Sequence, residues 1–456
     1  MDLNVVERYL PSVLPESSLK FFAATTVSLF FCAIYRIAMI SSQFFSVPIR
    51  KAFIIVVGNF LLCSLLGTSC LQVYVAALFP YILLRLSPPD QAHIYVLTFS
   101  FGWQIYRQWD YVILSDGATN KFHDSSYVMM LTVRVSYITL GLRDQLRKVK
   151  GEHLTVLQQA NILSECPSFV DYLTYICFFP AILISPLISY VDVMSFVNQS
   201  QSEFLSKPSP NFYTVKKVGY VFLIAMFHIF LLKQYDNVNL MSAEFINSHA
   251  WFRRFFYAWM CGYKLKAEYY VAMTCGEITC LVSGIGYSGR DKKTGRPMFD
   301  VVTDFRPFTC ETATSPKVAI DAWHASILRW YRYICYERAP YSPTLLTFFL
   351  SAMWHGCYIG YYIVFAHVGL IVFAARRMRK FLRPQVIAAG VYAKFFYDIL
   401  TWACTSISIN PLGPIFESLT WEFCRVYCTT TLYPLTLLLL FLTIVPISTG
   451  KTEKSV

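Results

Sequence analysis

Hydrophobic positions in this chain come in long blocks, not in strict alternation. The first block is Leu19–Ile40, interrupted by Arg36. Ala52–Leu84 carries no charge and is too long for one membrane crossing, and Gly67-Thr68-Ser69 is expected to split it into two short helices. Ile94–Leu114 holds Arg107 and Asp110, spaced to pair on one helical face. Tyr127–Leu142 is amphipathic and carries Arg134. Phe169–Phe196 is apolar but broken by Pro180 and Pro186, a pattern tolerated in a membrane only where protein or water re-satisfies the backbone. Val218–Leu232 is a clean span. Trp251–Tyr263 and Tyr269–Ile285 flank a basic patch with Lys264 and Lys266. Val318–Tyr336 reads as one helix, mixing Trp323, His324, Trp330 and Tyr331 with Arg329 and Arg332. Leu345–Ala375, Val386–Ile409 and Phe423–Ile447 complete the series.

This pattern predicts an all-α, multi-pass membrane protein. The length of a crossing gives about eleven transmembrane or re-entrant helices. Met1–Ser18 reads as an N-terminal segment, 19–447 as a single membrane-embedded domain, and 448–456 as a polar tail. Polar turns are expected at Asp116–Asp124, Arg143–Lys150, Ser200–Asn211, Gly289–Pro297 and Arg376–Arg383. The Lys/Arg bias places Arg143–Lys150, Arg253–Lys266, Arg290–Arg296 and Arg376–Arg383 on the cytosolic side. A transporter would show repeated halves or paired broken helices, and neither is visible.

Composition agrees with the pattern. Hydrophobic residues make up 56% and charged residues 14%, where a soluble chain carries roughly 25% charge. The formal net charge of +12 suits acidic headgroups and phosphate-bearing co-substrates. It does not point to nucleic acid, because the basic residues sit in short loops between apolar blocks. Fourteen cysteines are scattered, with no Cys-x-x-Cys pair and no zinc spacing, so they read as buried thiols and no metal site is expected.

The chemistry centres on Leu350-Ser351-Ala352-Met353-Trp354-His355-Gly356. Between Arg338 and Arg376 no Asp, Glu, Lys or Arg occurs, and the only ionisable imidazoles are His355 and His367. Such a group at membrane depth is costly and marks a substrate or proton path. An apolar setting keeps imidazole neutral, and neutral imidazole accepts a proton from a hydroxyl. His355 therefore reads either as a general base or as a structural hydrogen-bonding histidine. His324 lies on the preceding helix, and a turn near Pro340 and Pro343 would bring both imidazoles to one place. Arg329, Arg332 and Arg338 read either as holders of a phosphate or as a solvated face.

Ser342–Tyr362 (Ser-Pro-Thr-Leu-Leu-Thr-Phe-Phe-Leu-Ser-Ala-Met-Trp-His-Gly-Cys-Tyr-Ile-Gly-Tyr-Tyr) closely resembles the membrane-bound O-acyltransferase family, in its lysophospholipid acyltransferase branch. Trp323–Arg338, Gly286-Tyr287-Ser288-Gly289 with Asp291–Pro297, and Glu311–Lys317 carry the same likeness. The resemblance implies helices enclosing a tunnel with a mid-membrane active site in the endoplasmic reticulum membrane. It implies a catalytic pair, His355 and His324, with Trp323, Arg329, Trp354, Tyr269 and Tyr270 binding substrate. Acyl-CoA would be a co-substrate and a lysophospholipid the acceptor at its sn-2 hydroxyl, with no cofactor. The chain departs from the family where His324 replaces the usual Asn, where Glu268 begins the Lys-Tyr-Tyr pattern, at Ser185-Pro186, and at Ile359. Alternatives are a lipid-binding pseudoenzyme of the same fold, and an O-acyltransferase for a sterol, diacylglycerol or protein.

Overall fold

Blocks of apolar residues this long can satisfy their backbone only as helices when water is absent. The computed structural model describes residues 16–42, 44–114, 124–182 and 185–445. The expected N-terminal segment up to residue 15, the turn at 115–123, the Asp110 side chain and the tail from 446 lie outside the described residues. The described residues group into two compact units.

The first unit draws on Met1–Leu223, Val271–Asp304 and Ala325–Ala339. Its helices begin with α1 (Glu16–Ile34), α2 (Val47–Leu66), α3 (Cys70–Leu86), α4 (Ala92–Leu114) and α5 (Asp124–Val149). The short helices α6 (Val156–Ala160), α7 (Phe169–Ile176), α8 (Tyr190–Asn198) and α9 (Gln201–Ser206) follow, and then α10 (Asn211–Phe227). The expected break between α2 and α3 is a single tight turn at Gly67–Ser69, where Gly67 takes φ +54, a left-handed conformation that favours glycine. The proline-broken stretch after α7 leaves carbonyls without helical partners. Buried Arg134 meets them, donating to the carbonyls of Tyr175, Ile176 and Ala181. The expected Arg143–Lys150 loop is instead the last turns of α5. Asp144, wholly buried, anchors those turns by accepting from Nη1 and Nη2 of Arg338, at 2.8 and 2.6 Å. The Gly289–Pro297 turn is a two-stranded hairpin, β1 (Gly289–Arg290) with β2 (Pro297–Met298), in antiparallel register Gly289 to Met298. The Asp291 carboxylate accepts from Thr294 and Lys293 at its tip, which holds its pKa below the usual range.

The second unit draws on Ile224–Tyr270, Phe305–His324 and Pro340–Val456. It contains α11 (Ala243–Ser248) and most of α12 (Trp251–Ser283), a helix that runs straight through the expected break at Lys264 and Lys266. It can do so because both lysines are neutralised. Lys266 pairs with Glu311 at 2.5 Å, and Lys264 lies 3.7 Å from Glu417 and 4.0 Å from Glu268. Then come α13 (Pro307–Glu311) and α14 (Pro316–Trp323). The single helix expected over Val318–Tyr336 is thus broken at His324. A second helix, α15 (Ala325–Tyr331), belongs to the first unit, and the Asp304 carboxylate and carbonyl accept from the Ser326 and Ala325 amides at 2.8 Å to start it. The remaining helices are α16 (Pro343–His355), α17 (Ile359–Ala388), α18 (Val391–Ile409), α19 (Gly413–Ser418), α20 (Trp421–Tyr427) and α21 (Tyr433–Ile444). The expected Arg376–Arg383 loop is helical within α17, where Arg377 donates to the carbonyls of Thr443 and Val445 that end α21.

Six helical stretches among the described residues are long and apolar enough to cross a membrane. They are Leu19–Ile40, Val47–Leu86, Asn211–Leu232, Ile359–Ala388, Val391–Ser418 and Trp421–Ile444. The chain is an all-α, multi-pass membrane protein.

Candidate active site

His355 is the last residue of α16. Gly356 follows it at φ +148, so the chain leaves the helix there and restarts as α17 at Ile359. The apolar run Leu345–Ala375 is therefore two helices with His355 at the corner, and Gly356 and Gly360 do not share one helical face. Their roles are separate: Gly356 ends α16, while Gly360 lets α17 meet α19. A Cβ on Gly360 would lie 2.8 Å from Leu419 Cα and 3.0 Å from the Ile415 carbonyl oxygen.

That close approach puts Phe416, on α19, beside His355. The imidazole is partly buried in a ring of aromatic contacts. Centroid distances are 4.9 Å to Trp354, 5.2 Å to Phe365, 5.3 Å to Phe416 and 5.4 Å to Tyr361. Trp354 itself is almost fully buried. Aromatic faces and edges in this arrangement fix the plane of the imidazole.

His324 follows Trp323 in extended backbone (φ −150, ψ 73), and its ring packs on Phe305 at 5.0 Å. Phe305 is 5.1 Å from Trp323, and Trp323 is 5.2 Å from Tyr270 and 6.0 Å from Tyr269. Tyr269 in turn is 6.2 Å from Phe416. An unbroken series of ring contacts therefore runs from His324 to His355 inside one unit. The two imidazoles also lie within electrostatic reach of each other.

Six of the seven residues singled out from sequence gather here: His355, His324, Trp323, Trp354, Tyr269 and Tyr270. The seventh, Arg329, belongs to the first unit, where it donates to the carbonyls of Asp300 at 3.2 Å and Val301 at 3.0 Å. No group of three or more His, Cys, Asp or Glu side chains that could hold a metal occurs among the described residues. Three contributors escaped the sequence reading. Phe305, Phe365 and Phe416 are ordinary phenylalanines among 38, and nothing in their spacing singles them out.

A family model described as MBOAT, the membrane-bound O-acyltransferase family, matches residues 54–412. The chain belongs to the membrane-bound O-acyltransferase family. Membership makes it an acyltransferase, and the matched span contains both histidines. Among similar proteins, "Membrane-bound glycerophospholipid O-acyltransferase 2" of Gallus gallus is 30% identical, over 79% of this chain and 72% of the relative. The Homo sapiens protein of the same description is 29% identical, over 86% and 79%. "Lysophospholipid acyltransferase 6" of Drosophila melanogaster is 28% identical, over 84% and 55%.

Proposed function

We propose that the protein is an acyl-CoA-dependent lysophospholipid O-acyltransferase of the endoplasmic reticulum membrane, acting on the free sn-2 hydroxyl with His355 as general base. The observation that carries this reading is the series of ring contacts that links His324 to His355 in a membrane-bound O-acyltransferase. The names of the relatives support a glycerophospholipid acceptor over a sterol or a protein.

In this mechanism neutral His355 takes the proton as the sn-2 oxygen attacks the thioester carbonyl. A C–O bond forms, the C–S bond breaks, and the imidazolium returns its proton to the leaving CoA thiolate. The site needs no net proton and no redox partner. His324 offers a ring N–H to the oxygen on which negative charge develops, the task that the family's usual Asn would perform with its amide. Trp323, Trp354, Tyr269 and Tyr270 wall the reacting groups and exclude water, which would otherwise hydrolyse the thioester.

The test is turnover of purified protein with oleoyl-CoA against a panel of lysophospholipids. Acyl transfer is expected with at least one headgroup and lost in His355→Ala at equal protein level. Full activity in that variant would remove His355 from the mechanism. His324→Asn separates an active enzyme from the pseudoenzyme reading: turnover that appears only in this variant would mean that His324 had silenced the site.

A further inference from the structure

The aromatic box is held from one side by a single carboxylate. Glu311, at the end of α13, accepts from the Tyr270 hydroxyl at 2.6 Å and pairs with Lys266 Nζ at 2.5 Å. Its backbone carbonyl accepts from Trp402 Nε1 on α18 at 2.6 Å. Two other helices, α12 and α18, therefore converge on this one residue of α13.

Both side chains held by Glu311 press on Trp323. The Tyr270 ring meets it edge-on at 5.2 Å, and Lys266 Nζ stands 5.8 Å over its face. Lys266 also donates to Asn410 Oδ1 at 3.3 Å, so its ammonium has few other places to go. Trp323 is the last residue of α14, His324 follows it directly, and both rings pack on Phe305, at 5.1 and 5.0 Å. The plane of Trp323 thus sets where the His324 backbone begins.

We infer that Glu311 is a positioning residue: by fixing Tyr270 and Lys266 against Trp323, it sets the His324 ring for its role opposite His355. This inference rests on the reading of His324 and His355 as the reacting pair. Glu311 touches neither substrate nor imidazole in this account and acts only through the Trp323 corner. A Gln at this position keeps an acceptor for Tyr270 but gives up the charge that holds Lys266. A Phe at 270 removes one oxygen and leaves the ring packing.

The test uses the full chain in detergent or nanodiscs, with oleoyl-CoA and an equimolar mixture of lysophosphatidylcholine, lysophosphatidylethanolamine and lysophosphatidylserine. Glu311→Gln and Tyr270→Phe are each expected to lower kcat about tenfold, with KM for both substrates within about twofold and thermal stability within a few degrees of the parent. Introduced into His324→Ala, each is expected to cost nothing further, because the ring it positions is gone. A full additional loss in that background would make Glu311 a general structural contact and overturn the proposal. So would parental kcat in both single variants. If instead His355→Ala retains turnover, the reading of the reacting pair fails on its own. Should Glu311→Gln fold poorly, Tyr270→Phe alone decides.

Discussion

Two histidines sit in the same uncharged run, and the protein treats them differently. His367, within the membrane-crossing helix α17, spends both ring nitrogens. Nδ1 donates to the Ile363 carbonyl at 2.8 Å, which leaves Nε2 to accept from the Thr436 hydroxyl on α21 at 2.9 Å. It is a strap between two helices. His355 stands at a helix end instead, before a glycine that turns the chain, and meets four aromatic rings, those of Trp354, Tyr361, Phe365 and Phe416. Equal cost of burial does not mean equal purpose. The strap between two membrane-crossing helices serves the fold, whereas the corner position places His355 among the rings of the proposed site.

The comparison breaks most sharply at His355 itself. His355→Ala should lower acyl transfer about 10²–10⁴-fold, the usual contribution of a positioned general base, while thermal unfolding of the purified protein barely moves. Turnover by mass spectrometry of the acylated lipid measures this, and retained activity would put both histidines in the same structural class. His324→Ala should cost about 10²-fold, as loss of one donor to a developing oxyanion does. His324→Asn should restore all but about tenfold of the parental rate, since the amide can donate as the ring does.

Phe416 gives the next effect. Its ring touches His355, Tyr361 and Tyr269 at once. Phe416→Ala should free the imidazole to tilt and lower kcat roughly tenfold, with Phe416→Leu intermediate. An effect on KM alone would assign Phe416 to substrate binding and leave the orientation of His355 to Trp354 and Phe365.

These effects differ in how far the sequence foretells them. His355 was legible because an isolated imidazole in an uncharged run is costly, and the break at Gly67–Ser69 was legible because glycine and small polar residues interrupt apolar helices. The charged stretches misled. Lys264 and Lys266, Asp144 and its arginine neighbours, and Arg377 all read as loop signals. Lys266, Asp144 and Arg377 are instead tolerated in helices by partners far away in sequence, Glu311, Arg338 and the end of α21. The same reason hid the break at His324. The carboxylate that starts α15 comes from Asp304, twenty-odd residues upstream, and no local pattern announces it. Phe416 was beyond reach altogether, because it comes to His355 only through the close approach that Gly360 allows.

The smallest effect belongs to His367, and it tests the other half of the contrast. Thr436→Val removes the hydroxyl that bonds Nε2 and keeps the side chain's shape. Interhelical hydrogen bonds of this kind in membranes are worth about 0.6 kcal/mol on average and about 1.7 at most. Both Thr436→Val and His367→Phe should therefore lower thermal stability modestly and leave turnover per folded molecule unchanged. A double-mutant cycle between them isolates the strap. The coupling should account for most of the single-variant losses, because the two side chains meet directly. A fall in kcat at unchanged stability would show instead that His367 exchanges protons with the site, and the distinction between the two histidines would dissolve.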